Sequence, residues 1–384
     1  MVIVKRRIKT QIVEKLFQGK VVILYGARQV GKTTLTKQIL SEQKELGKKG
    51  AYFNCELDSV RSALAIKETE RLRSFLGDND LIVLDEAQNV PEIGKVLKII
   101  HDEIPNVQII ATGSSSFDLA DKTAEPLTGR NFSFTLYPLS IQEVAQAEAL
   151  GLVGLDAKLE QILRFGSYPE VHSIVDEAGK TERLNAIASD YLYKDILRFE
   201  GIKKASIVAD LLKLLALQIG QEVSFQTLAS TLGISRITVE KYIDILEKSF
   251  VIIRLRPLSR NAYRAVSKKS KIYFIDLGIR NSLIQNYNPL IVREDVGGLW
   301  ENLCIVERIK NNSYGKLFVN SYFWRSYSGQ EVDYIEESGG TFEAFEFKWG
   351  VAKQIKTPSE FLEAYAVEVQ KIDRENYSTF VSKQ

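Results

Sequence analysis

The sequence predicts an α/β fold in which a parallel sheet opens the chain and a second α/β region closes it. Three observations predict this. An apolar, β-branched run at 21–25 passes through a glycine loop into a helical pattern. A second apolar run at 81–84 ends in two carboxylates. Strand and helix patterns then alternate again from 271 to 350. Alternating strand and helix periods are the signature of helices packed on a mostly parallel sheet.

The chain has 384 residues, of which 45% are hydrophobic, which is too long for one ordinary core, so two or three domains are expected. A charged fraction of 26% and a net charge of +2 leave nucleic-acid binding to local patches. Cys55 and Cys304 are far apart and have no metal-ligand spacing, which argues against a disulfide scaffold or zinc site. His101 and His172 are the only histidines, so histidine chemistry has little material. The first residues, MVIVKRRIKTQIVEK, lack a long apolar core, and no run reaches the roughly 18 apolar residues of a membrane span. The expectation is a soluble cytoplasmic protein with no membrane partner.

The strand VVILY is followed by Gly26, Ala27, Arg28, Gln29, Val30, Gly31, Lys32 and Thr33, and then by Thr34 and a helical stretch. Strand, glycine loop and helix is the context a phosphate-binding loop requires. Glycines let backbone N–H groups curl around phosphates, and the helix N-terminus adds partial positive charge. Lys32 is expected to reach the β- and γ-phosphates and Thr33 to ligate Mg²⁺.

A metal-site carboxylate and a base are expected on a later strand. LIVLDEAQNV supplies Asp85 for Mg²⁺ and Glu86 to polarise the attacking water. The next apolar run, VQIIATGSSSF, places Thr112 or Ser114 at a strand end, either to meet the γ-phosphate or water or as a polar turn. Arg130, just before FSFTLYPL, reads either as a transition-state arginine acting in a neighbouring subunit or as a surface arginine.

GARQVGKTTL, LIVLDEAQNV, IIATGSSSFDLA and LTGRNFSFTLYPLS together resemble the AAA+-type P-loop ATPases of bacteria and archaea that carry a winged helix and a restriction-endonuclease-like C-terminal domain. The resemblance implies a parallel sheet over residues 1–145 with the second carboxylate on the strand adjacent to the loop strand. It also implies ATP rather than GTP, since no Asn-Lys-x-Asp stretch appears in this region.

Residues 146–219 read mostly helical, with a turn at GSYPEV, and are expected to form a connector or lid. Asp195 and Arg198 within it are candidates for interdomain contact or a solvated face. Residues 220–265 carry helix-turn-helix spacing: Leu228, Ala229 and Leu232 on a first helix, Gly233 at the turn, and Val239, Tyr242, Ile243 and Leu246 on a second. With FVIIRLRP as a wing strand this predicts a winged helix whose Arg236, Thr238 and Lys241 face a DNA groove. Lys248, Arg254, Arg256, Arg260, Arg264, Lys268, Lys269 and Lys271 follow with no acid among them, a pattern suited to phosphates or to an inert spacer.

Residues 266–384 read as strand, helix, hairpin and strand. Glu301 stands on the predicted helix 297–312, Asp333 in the hairpin, and Glu346-Phe347-Lys348 on the last strand, where Glu346 and Lys348 share a face. This order looks like the core of restriction-endonuclease-type nucleases, in which Asp333 and Glu346, with Glu301 added, would hold Mg²⁺ and Lys348 would activate water. The same carboxylates also suit a structural ion network. The expected activity is ATP hydrolysis coupled to DNA, with a nuclease site in the last domain. The alternative is a regulatory ATPase that binds a protein partner, and a homo-oligomer stays open.

Overall fold

The computed structural model describes residues 4–382 except 115–124, 151, 195–204, 260–269, 327 and 351–353. Asp195, Arg198, Arg260, Arg264, Lys268 and Lys269 therefore lie outside the described residues. The chain forms two compact units, one running to Leu139 and including Lys248–Phe250, the other formed by Ser140–Glu247 and Val251–Gln384. Among the described residues no helix is long and apolar enough to cross a membrane.

The first unit contains helix α1 (Ile8–Glu14), strand β1 (Val21–Tyr25), α2 (Lys32–Glu45), β2 (Gly50–Asn54), α3 (Asp58–Leu64), α4 (Thr69–Leu76), β3 (Leu81–Asp85), α5 (Ile93–Glu103), β4 (Gln108–Gly113) and β5 (Asn131–Thr135). The strands form one five-stranded sheet in the order β2-β3-β4-β1-β5, and every pairing is parallel. Helices cover both faces, so the inner strands β1, β3 and β4 are buried at every position. Uninterrupted apolar runs such as VVILY and LIVL follow from that double burial. Edge strands β2 and β5 are only half-buried.

Contrary to expectation, the carboxylate strand β3 is not adjacent to the loop strand β1; β4 lies between them. The sequence order of apolar runs does not say which runs pair. Register explains the consequence: Leu24 aligns with Thr112 on one side, and Leu84 aligns with Ala111 on the other. Thr112 is thereby set between the phosphate-loop strand and Asp85.

The second unit begins with α6 (Ile141–Ala147), α7 (Leu152–Phe165), α8 (Pro169–Ser173), α9 (Glu177–Lys194) and α10 (Ala205–Leu217). Next come β6 (Glu222–Val223), α11 (Phe225–Leu232), α12 (Arg236–Lys248), β7 (Ile252–Pro257), β8 (Ser270–Phe274) and α13 (Leu277–Leu283). It ends with α14 (Val296–Gly315), β9 (Asn320–Arg325), β10 (Glu331–Ser338), β11 (Thr341–Phe347), α15 (Ser359–Tyr365), β12 (Val369–Ile372) and α16 (Tyr377–Ser382). Ser140 caps α6 with a full capping box through Glu143, which satisfies N–H groups left without helical partners.

The seven strands of this unit form one sheet, ordered β12-β11-β10-β9-β7-β8-β6. The boundary expected at 265/266 thus falls inside one sheet, because β8 pairs antiparallel with both β7 and β6. β7 joins the C-terminal strands through a short parallel pairing with β9. The core beneath packs Trp300, Leu303 and Ile305 of α14 against Tyr273, Phe323, Tyr334 and Phe345 from the strands.

Candidate nucleotide site and C-terminal carboxylate cluster

Parallel strands deliver their C-terminal ends to a common edge, where α/β sheets bind ligands. Here that edge gathers residues 26–33 after β1, Asp85 as the last residue of β3 with Glu86 just after it, and Thr112 near the end of β4. The loop's glycines are required by geometry. Gly26 has φ +154°, and a Cβ there would lie 2.2 Å from the Leu136 carbonyl oxygen. Gly31 has φ +98° and precedes the first residue of α2. Lys32 is buried, and its Nζ donates to the Gly26 and Ala27 carbonyls at 2.9 Å each. The loop's own oxygens thus hold the ammonium where phosphate oxygens would take it. Ala27 and Val30 are buried, and Thr34 is exposed on the first turn of α2. Arg28 and Gln29 complete the loop, Gln29 with φ +60°.

Asp85 accepts three hydroxyl donors. Thr33 Oγ1 donates to Oδ2 at 2.7 Å, Tyr52 also donates to Oδ2, and Thr112 donates to Oδ1. Thr33 and Asp85 thereby present hard oxygen donors side by side, a set that fits Mg²⁺. Burial first, and the Asp85 carboxylate next, push the Tyr52 phenol well above its ordinary value, so it remains a donor. Burial and the same acids push the Cys55 thiol up to about 12, which removes it as a nucleophile. Glu86 sits in the left-handed region at φ +53°. Its amide donates to Thr112 Oγ1 at 3.1 Å, and its carboxylate accepts from Gln88 Nε2, which also donates to Ser114 Oγ at 3.2 Å. Thr112 and Ser114 therefore support the two carboxylates.

Sequence reasoning missed Arg6 and Tyr52. Arg6 is buried and donates to the Val30 carbonyl at 2.7 Å and the Tyr137 carbonyl at 2.6 Å, bracing the phosphate loop from outside. Neither residue lies in a local motif; Tyr52 reaches Asp85 only because β2 and β3 pair with Asn54 opposite Asp85.

In the second unit, Lys271 dominates the carboxylates expected to form a metal centre. Its side chain is 1% exposed. Its Nζ lies 2.9 Å from Glu301 Oε1 and 3.6 Å from Asp333 Oδ1, and it also pairs with Glu331. Tyr273, two residues along β8, donates to the same Glu301 oxygen. The β10–β11 register pairs Tyr334 with Phe345, and Asp333 and Glu346 are the next residues of the two strands. Asp333 Oδ2 accepts the Phe347 amide at 3.0 Å, and Lys348 Nζ lies 2.7 Å from Glu346 Oε1.

Burial, then the Asp333 charge, push the Glu301 carboxyl up to about 7, and the same two causes raise Glu346. Burial opposes the Lys348 charge, but the hydrogen bond to Glu346 and the nearby acids outweigh it and raise its value. Among the described residues, no three His, Cys, Asp or Glu side chains are grouped to hold a metal ion. The metal set Glu301, Asp333 and Glu346 therefore does not fit Mg²⁺ as it stands, because an ammonium already lies against two of the three. Lys271, read from sequence as one of an outward basic run, is instead an interior partner of acids.

Comparison with known families decides the first unit. Residues 18–145 match the family model described as an AAA domain. This stretch of the first unit is thus similar to AAA domains. Residues 156–289 and 296–379 match two further models, each described as a domain of unknown function. An uncharacterized protein of Mycobacterium tuberculosis is 26% identical over 352 residues, covering 91% of this chain and 74% of the relative. One of Methanocaldococcus jannaschii is 27% identical over 347 residues, covering 84% and 73%. Among solved structures, the replication initiator DnaA bound to AMPPCP and single-stranded DNA matches with 16% identity and a TM-score of 0.31, covering 62% of this chain and 86% of that one.

Arg130 does not join the strand-end edge that carries residues 26–33. It precedes β5, and its carbonyl accepts the Val21 amide at 2.9 Å, at the end of the sheet opposite the phosphate loop. Its Nε donates to Asp102 Oδ1 at 2.9 Å, and Asp102 also meets His101 Nδ1 at 2.6 Å. The Arg130 bond first, then His101, hold the Asp102 carboxyl below its usual range. Arg130 acts on phosphate only if a second chain brings its nucleotide to this end. Arg130→Ala should then lower hydrolysis per chain while ATP affinity holds, with wild-type turnover rising with protein concentration. Concentration-independent turnover untouched by Arg130→Ala assigns the residue to the Asp102 pair alone.

The DNA candidates divide in the same way. Arg236 and Lys241 are exposed on α12, Thr238 is half-buried with Oγ1 2.8 Å from Ser235 Oγ, and Arg256 is exposed on β7. Arg254 is corrected: its side chain is 7% exposed, lies 3.2 Å from Asp244 and 3.8 Å from Glu240, and stacks over Phe225. α12 and Phe225 pack over it, whereas Arg256 on the same face of β7 stays exposed, a difference that a count of basic residues cannot reveal.

Proposed function

We propose that this chain is an ATP-hydrolysing AAA-type switch that acts on DNA through α11 and α12. The observation that carries the reading is the meeting of Thr33, Asp85 and Thr112 hydroxyl and carboxylate groups beside Lys32 and Glu86. In use, the amides of residues 26–33 cradle the phosphates, and Lys32 exchanges the Gly26 and Ala27 carbonyls for β- and γ-phosphate oxygens. Thr33 and Asp85 would hold Mg²⁺, which supplies charge neutralisation at the phosphate oxygens when bound. Glu86, held by Gln88, takes the proton of the attacking water.

The DNA part of the reading is supported by topology. β6 lies between α10 and α11, β7 follows α12, and β8 pairs with both strands, an arrangement that supports the winged-helix reading. Arg236 and Lys241 then face a groove, and Arg256 lies on the wing strand. Replacing all three with Ala should weaken DNA binding across sequences. The slope of log K against log salt should flatten by about 0.9 for every phosphate no longer neutralised. DNA should also raise phosphate release in the wild type. Absence of binding at low salt would transfer the reading to a regulatory switch with a protein partner. Two features favour that second reading: Ile237 is 79% exposed on α12, and Glu240 and Asp244 share the helix with the basic residues.

The order α14, β9, β10, β11, α15, β12 with Glu301, Asp333, Glu346 and Lys348 supports a restriction-endonuclease-like frame for the C-terminal strands. No cleavage step is derived from it, because the metal does not fit.

A further inference from the structure

We propose that Lys271 is the resident cation of the C-terminal carboxylate cluster, holding the place a divalent metal would take, so that the cluster binds no metal unless that ammonium is removed. The inference starts from charge. Glu301, Glu331, Asp333 and Glu346 converge from α14, β10 and β11, and like charges at such spacing raise one another's cost of ionisation. A cluster of this kind needs a cation. Lys271 supplies one and meets three of the four acids.

The ammonium is fixed by the fold rather than by chance rotation. Lys271 lies within β8, with Glu222 of β6 opposite on one side and Leu255 of β7 on the other. Its side chain is 1% exposed, and its Nζ also lies 5.9 Å from the Phe323 ring centroid. Tyr273, on the same face of β8, binds Glu301 as well, so two donors from one strand hold that carboxylate. Packing of α14 against this face of β8, with Glu301 over Lys271 and Tyr273, keeps the lysine side chain in the interior.

A dication bound by the same oxygens at roughly 2.0–2.6 Å would sit against the ammonium. Repulsion and steric overlap both exclude the pair. Lys348 does not play this role: it meets Glu346 and its side chain is 42% exposed. The two lysines therefore differ in kind, one interior and tied to three acids, the other at the surface beside Glu346. With Lys271 in place, the acids hold β8, α14 and β10 together and do not assemble a hydrolytic centre. The strand frame of a nuclease is thereby used as a clasp.

The test is Mn²⁺ binding to the full nucleotide-free chain, followed by loss of the free-ion electron paramagnetic resonance signal, with Lys32→Ala in every variant to silence the AAA domain. Four proteins are compared: the Lys271 parent, Asp333→Asn, Lys271→Met, and Lys271→Met with Asp333→Asn. The parent and Asp333→Asn should bind Mn²⁺ equally, with no Asp333-dependent site. Lys271→Met should gain one site per chain, and adding Asp333→Asn should remove it. Mn²⁺ binding by the parent that Asp333→Asn abolishes would overturn the proposal, as would a folded Lys271→Met with no gain. Should Lys271→Met fail to fold, Lys271→Gln replaces it, and the comparison of parent with Asp333→Asn decides without either.

Discussion

Lys32→Ala is expected to lose ATP binding and hydrolysis together, whereas Glu86→Gln keeps binding and loses turnover by about 10²-fold or more. The two outcomes differ because the residues act at different moments. Lys32 is buried among loop carbonyls, placed to carry charge to the phosphates. Its loss removes attraction present in the ground state as well as in the transition state. The Glu86 carboxylate is steadied by Gln88 and its amide by Thr112, so it is placed to act on the attacking water. An amide in place of that carboxylate keeps the shape and cannot take a proton. Equilibrium binding of a fluorescent ATP analogue, beside phosphate release, separates the two. Wild-type turnover in Glu86→Gln would remove Glu86 as the base.

The largest stability effect is expected in the second unit, at Glu336. This carboxylate is buried on β10 and accepts Arg308 Nη2 at 2.8 Å, Arg308 Nε at 3.0 Å, Asn312 Nδ2 at 2.6 Å and the Tyr334 hydroxyl at 3.0 Å. Arg308 is also buried, and its Nη1 donates to the neutral Phe380 carbonyl at 3.1 Å, so Glu336→Ala leaves a guanidinium in the core without its carboxylate. Breaking a buried pair on one side costs about 3–5 kcal/mol. Replacing both members with apolar residues, as in Arg308→Met with Glu336→Leu, removes both buried charges and should recover most of that loss. Urea midpoints of the wild type, Glu336→Ala and the double variant check the order, and a Glu336→Ala protein as stable as the wild type would refute it.

What the sequence makes legible follows from range. The phosphate loop spans eight consecutive residues, each with a local reason to be there, so Gly26, Gly31, Lys32 and Thr33 are readable without a fold. Asp85 and Glu86 are nearly as readable because an apolar strand ends on them. Tyr52, Arg6 and the intervening β4 depend on which strands pair, and no local pattern encodes that. The same limit misplaced Lys271 and Arg254. Both belong to a run with no acids nearby in sequence, yet the fold brings Glu301, Glu331 and Asp333 to one and Asp244 and Glu240 to the other. Composition counts the charges of a segment; what the fold packs beside each one decides whether it is buried.

The two sheets also set a timetable for synthesis. The first has its last strand at Thr135, whereas the second needs Val369–Ile372 before β11 gains its outer neighbour. At the ~5–20 residues per second of translation, that delay is roughly ten seconds to a minute. The AAA sheet can therefore form on the ribosome from contiguous chain. The later sheet waits, since β7 must find β9 across α13 and α14, a pairing of large sequence separation that forms slowly. During that wait β7 and β8 stand as an unfinished ribbon with an open edge, and open edges recruit other strands. The nascent chain is thus most exposed to misassembly after its first sheet is complete and before β12 has emerged.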